Sequence, residues 1–187
     1  LLETILTAAK SITRADGGTL YRLTEDRTLH FEILRTSSLK YYLGGTTGNA
    51  VPFYPIHLMG KDGKPNHSMV AAYAALTGKT VNIADAYTAD GFDFTGTRNF
   101  DKKTGYRSKS FLTVPMRNHE NASIGVLQLI NAQDPRTGEI VLDGRRTASW
   151  RRTSTSSEAS RKTMRGSEPR TASWPSASVR SAKKLPL

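Results

Sequence analysis

Two apolar runs near the end of the chain's apolar body limit its fold most: "SFLTVPM", residues 110 to 116, and "SIGVLQLIN", residues 123 to 131. Each is too short for a stable helix and is bounded by polar residues, and the polar turn "RNHENA" between them returns the chain on itself. Such a pair is an antiparallel hairpin, and it needs further strands and a covering layer to bury its apolar faces.

The earlier sequence supplies both. Leu2, Ile5, Leu6, Ala9 and Ile12 lie on one helical stripe, with Asp16-Gly17-Gly18 read as its end. Leu20 to Leu23, a turn at Glu25-Asp26-Arg27, and Leu29 to Leu34 read as a second hairpin. A loop, "LGGTTGNAVPFYP", precedes a short strand at Ile56 to Met59 and a turn in "GKDGKP". Asn66 is the expected N-cap of a helix carrying Met69, Tyr73 and Leu76, which Gly78 stops. "TVNI" is a brief strand, and residues 84 to 105 read as one long polar loop. The order predicts an α+β domain over residues 1–143 around one antiparallel sheet.

One residue in the last strand stands out. Ile124, Val126, Gln128 and Ile130 share a face by the period of two, so an amide interrupts an apolar row. Gln128 either lies at the rim of the core and bonds a neighbouring loop, or lines a pocket and offers a donor and an acceptor to a ligand.

Composition removes whole classes of function. The chain has no cysteine, which excludes disulfides, thiolate catalysis, thioether-linked chromophores and Cys-type zinc sites. Its four histidines are scattered without ligand spacing, so no metal is expected, and "GGTTG" lacks the Lys-Ser/Thr of a phosphate loop. "DGFDF" lacks the alternating oxygens of a calcium loop. No apolar run is long enough for a membrane span and the start is unlike a signal peptide, so the expected location is cytoplasmic. The missing initiator Met suggests a piece of a longer protein.

The net charge of +11 divides unevenly. Residues 144–187 hold eleven Lys or Arg against Glu158 and Glu168, whereas the body holds sixteen against fourteen acidic residues. The basicity belongs to the tail, and no nucleic acid is expected on the body. With few apolar residues, the tail is expected to be disordered. "RRTS" would suit a kinase, and "RTASW" occurs at Arg146 and Arg170. The Arg/Ser/Thr/Ala bias after Gly144 favours a shifted reading frame over a nucleic-acid, membrane or regulatory arm.

"MVAAYAALTGKTVNIADAY", "NFDKKTGYRSKSFLTVPMRNHE" and "IGVLQLIN", in that order and spacing, resemble GAF domains, most of all those of cyclic-nucleotide phosphodiesterases, bacterial cyclases and HD-type phosphohydrolases. The resemblance covers about residues 1 to 140. It implies a six-stranded antiparallel sheet with flanking helices and a small-molecule pocket opposite the terminal helices. It implies further that polar contacts to a cyclic nucleotide come from Asp101, Thr104 and Ser108, an aromatic face from Tyr106, and an amide from Gln128. Val70 and Ala71 match positions whose backbone approaches the cyclic phosphate; Thr19, and Arg35 or Thr36, match the base-contacting edge.

The pattern departs after the last strand. Asn131 is kept but Ala132 stands where a Lys is expected, and the following Phe and acidic pair are missing. The reading is a regulatory domain that is not itself an enzyme, binds cAMP or cGMP, forms a homodimer and controls a fused catalytic output domain. The alternative is a dimerisation module without ligand.

Overall fold

The structure, a computed structural model, describes residues 1–141. Its elements are α1 (Leu2–Thr13), β1 (Ala15–Leu23), β2 (Thr28–Thr36), β3 (Tyr41–Gly44), β4 (Ile56–His57), α2 (Val70–Thr77), β5 (Val81–Ile83), α3 (Thr95–Thr104), β6 (Phe111–Arg117) and β7 (Ser123–Ala132). The sheet order is β3-β2-β1-β7-β6-β5, and the two-residue β4 pairs with β2 beyond this six-stranded path. Every pairing is antiparallel. This is the expected α+β architecture. The expectations for residues 144–187 lie outside the described residues.

Strand alternation sends side chains to two cores. On one face Leu20, Ile33, Leu112 and Leu129 pack with Leu6 of α1. On the other, Tyr21, Leu29 and Val126 pack with the alanines of α2, and Phe111 and Ile83 pack with Val70 and Phe94. The first helix ends earlier than predicted. Arg14 takes the left-handed conformation at φ 53°, and Asp16-Gly17-Gly18, read as a helix stop, is strand. The glycines serve close packing. A Cβ on Gly18 would stand 2.7 Å from Leu6 Cδ1. The predicted apolar stripe of α1 is buried only at Leu6; Leu2, Ile5 and Ile12 are exposed among the described residues.

Two other expectations are corrected. Helix α2 starts after Met69, later than the Asn66 cap predicted, although the Asn66 carboxamide still accepts from Ser68 Oγ at 2.9 Å before the first turn. Its buried residues are Val70, Ala71, Ala72, Ala74 and Ala75, because small side chains let the helix approach the sheet, while Met69 and Leu76 flank the core. The long loop at 84–105 contains α3, hidden in sequence by Thr, Gly and Asn, which are weak helix formers. Gly105, at φ 71°, ends it with its N–H on the Asp101 carbonyl at 2.9 Å. Among the described residues, no helix is long and apolar enough to cross a membrane.

Candidate ligand cavity

The sheet face under α2 and α3 floors a cavity of about 270 Å³. Register builds this floor in rows. Leu34, Thr19, Gln128 and Thr113 are lateral partners across β2, β1, β7 and β6, and Thr36, Gly17, Ile130 and Phe111 form the next row. A polar strip therefore crosses the middle of an otherwise apolar surface. Gln128 is 8% exposed and bonded once at each end: Tyr21 donates its hydroxyl to Oε1 at 3.1 Å, and Nε2 donates to Thr113 Oγ1 at 3.1 Å. It is held by side chains of adjacent strands, not by a rim loop, and keeps one N–H and one lone pair for another partner. Burial pushes the Tyr21 phenol well above the usual tyrosine range, against a hydrogen bond from Thr19.

The roof comes from two helix starts and an aromatic rim. Val70 and Ala71 of α2, and Gly96 and Thr97 of α3, all line the cavity. First-turn N–H groups have no intrahelical acceptors, so the start of α2 offers donors beside the cavity, whereas at the start of α3 the Thr95 N–H is taken by the Asp93 carboxylate. Asp93 is the only charged lining residue described. Its carboxylate accepts from Thr95 N–H at 2.8 Å, and hydrogen bonds from the Thr95 hydroxyl and N–H hold it below the usual carboxylate range. Rings follow one another around the wall: Tyr21 to Phe31 at 4.7 Å between centroids, Phe31 to Phe53 at 5.2 Å, Phe53 to Phe100 at 6.2 Å and Phe100 to Tyr106 at 6.4 Å. Tyr54, at the mouth, is 94% exposed.

Hydrogen-bonded carboxylates and an amide fix the wall behind this surface. Asp101, 3% exposed, accepts from Tyr87 Oη, Ser108 N and Ser108 Oγ, each at 2.7 Å. That bond raises the Tyr87 phenol above its ordinary value. Asp16 accepts the Tyr106 hydroxyl at 2.6 Å, and burial first, with this carboxylate second, drives the Tyr106 phenol far up. Asn131, wholly buried at φ 57°, accepts from Lys109 N–H at 2.7 Å and donates to the Arg107 carbonyl at 2.7 Å. It holds residues 107 to 110 against the sheet.

The structure brings Thr19, Thr36, Val70, Ala71, Tyr106, Ser108 and Gln128 together around the cavity. It does not bring Arg35, Asp101 or Thr104 there. Arg35 follows Leu34 on β2, so alternation turns it to the α1 side, where its guanidinium pairs with Glu3. Asp101 sits behind the wall, and the Thr104 hydroxyl is turned back to the Phe100 carbonyl at 2.9 Å in the last turn of α3. A sequence reading of 84–105 as one loop cannot separate these faces. It also missed the aromatic wall. Phe53 and Tyr54 in "VPFYP" were the available signal, because exposed rings in a Pro-rich loop have no core to enter.

The fold is a mixed α+β domain whose antiparallel sheet carries a cavity open at its mouth. A GAF domain family model matches residues 1–147, and the chain belongs to the GAF domain family, a regulatory fold found in multidomain proteins. Over 62 residues it is 44% identical to the dual 3',5'-cyclic-AMP and -GMP phosphodiesterase 11A of Takifugu rubripes, covering 33% of this chain and 6% of that protein. Identity to the dual 3',5'-cyclic-AMP and -GMP phosphodiesterase 11 of Drosophila melanogaster is 39% over 62 residues, covering 33% of this chain and 4% of that protein. The solved GAF domain of an Acinetobacter phosphoenolpyruvate-protein phosphotransferase is similar at TM-score 0.47 and 14% identity, covering 88% of this chain and 83% of that one. Among the described residues, no group of three or more His, Cys, Asp or Glu side chains could hold a metal ion.

Proposed function

We propose that the cavity binds a purine cyclic nucleotide, cAMP or cGMP, and that the domain passes its occupancy to a fused catalytic output domain in signal transduction. The observation that carries this reading is the chemistry of the lining: hydroxyls, an amide and aromatic faces, the start of α2, and a single charged group, Asp93, already engaged at the start of α3, with no Lys, Arg or His among the described lining residues. A single negative charge suits the α2 N-terminus without a cationic side chain. A di- or triphosphate would call for cationic side chains or a metal. The volume, about 270 Å³, lies just under the roughly 300–1,000 Å³ of drug-sized pockets and suits a compact ligand. Aromatic walls suit a purine ring. The local identity to dual-specificity phosphodiesterases supports the same reading.

The test is mass spectrometry of nucleotide released from the purified chain, followed by calorimetric titration of cAMP and cGMP. Gln128→Ala and Thr19→Val should each weaken binding by about 0.5 to 1.5 kcal/mol, roughly two- to twelve-fold, with thermal melts run in parallel. A chain that melts cooperatively and binds neither nucleotide overturns the reading. A dimerisation module then stands, favoured by the exposed Leu2, Ile5 and Ile12 on α1, and sedimentation would detect it.

A further inference from the structure

We propose that a second cavity, on the α1 side of the sheet, is an anion site that takes a phosphate group, either free or carried by a small phosphomonoester. This cavity, of about 480 Å³, lies between α1, the ends of β2 and β3, and the chain after β7. Thr7, Lys10 and Ser11 of α1 and Arg14 at its cap line it, together with Arg35, Ser37 and Tyr42. Cations ringed by hydroxyls are the donor set that phosphate oxygens require.

Lys10 carries the argument. Its stem lies over Gly18, where a Cβ would stand 3.2 Å from Lys10 Cγ, so the side chain is half-sunk beside the sheet. Its ammonium donates to the neutral Ser37 Oγ at 3.0 Å and, among the described residues, makes no ion pair. The acidic groups nearby are engaged elsewhere. Glu3 is taken by Arg35 and by Thr46, whose hydroxyl donates at 2.7 Å. Asp16 accepts from Ser38 N at 3.1 Å, Ser38 Oγ at 2.7 Å, Tyr106 Oη at 2.6 Å and Gln133 Nε2 at 3.3 Å. Asp134, the acidic residue of the lining, accepts from the N–H groups of Arg136 at 2.7 Å and Thr137 at 3.4 Å. Burial lowers the Lys10 ammonium from the usual lysine value, Asp16 pulls it up, and Arg35 adds to the lowering. Arg14 is linked to the Pro135 carbonyl through Nη1 at 3.3 Å, which leaves most of its five donors.

The negative end of α1 accounts for Lys10 in its last turn and Arg14 at its cap. It does not account for a hydroxyl-lined cavity around them. Residues 144–187, with eleven Lys or Arg against two Glu, have the wrong sign to fill it.

The experiment is calorimetric titration of the full chain with inorganic phosphate and with phenyl phosphate, at constant ionic strength set by chloride. Saturable binding is expected, weakened at least about tenfold by Lys10→Gln and by Arg14→Gln and kept within about threefold by Lys10→Arg. Gln128→Ala should leave it unchanged, which separates this site from the ligand cavity. Tighter binding of phenyl phosphate identifies the phosphomonoester, with Tyr42 against its organic part; equal binding identifies free phosphate. Melts confirm that each variant is folded. No saturation in the wild type, or undiminished affinity in folded Lys10→Gln, which would move phosphate to the basic tail, overturns the proposal.

Discussion

Replacing Asp101 by Ala should unfold the wall of the candidate cavity more readily than any change to a solvated loop would. The carboxylate is 3% exposed and accepts three hydrogen bonds at 2.7 Å, from Tyr87 Oη, Ser108 N and Ser108 Oγ. Bonds to a charged group contribute about 1.5–3 kcal/mol each, but these three share one acceptor group and do not add in full. The Ser108 hydroxyl can turn to another partner; its buried N–H cannot, and an unsatisfied donor costs about 1–3 kcal/mol. We expect a net loss of about 3 kcal/mol, a large part of the roughly 5–15 kcal/mol that holds a domain together. Asp101→Asn keeps the size and one acceptor oxygen and should lose about 1–2 kcal/mol. Urea unfolding of wild type, both variants and Ser108→Ala measures this. The double variant Asp101→Ala/Ser108→Ala should lose less than the sum of the single losses, because the two groups bond each other. A loss below about 1 kcal/mol for Asp101→Ala would refute the reasoning.

Two further outcomes follow from packing and titration. Gly18→Ala puts a Cβ 2.7 Å from Leu6 Cδ1, so α1 must lift from the sheet, with a loss of about 1–3 kcal/mol by denaturant unfolding. Stability should also fall as pH rises past about 10: the buried Tyr21 and Tyr106 phenols stay protonated in the folded state above the pH at which they ionise when unfolded. Their contribution is complete below the ordinary tyrosine value and lost above it. Tyr106→Phe should flatten the alkaline slope of a stability-versus-pH curve, and an unchanged slope would exclude Tyr106 as a source.

Apolar period and turn chemistry in the sequence determined the α+β class, both hairpins, the stop at Gly78 and the placing of Gln128 on a strand, because alternation and left-handed glycines act over a few residues. They could not show α3, whose Thr, Gly and Asn favour no helix until Phe94 finds Phe111 at 5.7 Å between ring centroids and Asp101 finds Ser108. Nor could they sort the candidate site. Neighbours in sequence such as Arg35 and Thr36 fall on opposite faces, while Thr19, Gln128 and Thr113, far apart in the chain, meet as one polar row through strand register. Burial in tertiary contact decides which hydroxyl faces the cavity and which carboxylate becomes a brace, since a charged group leaves water only where donors already wait for it.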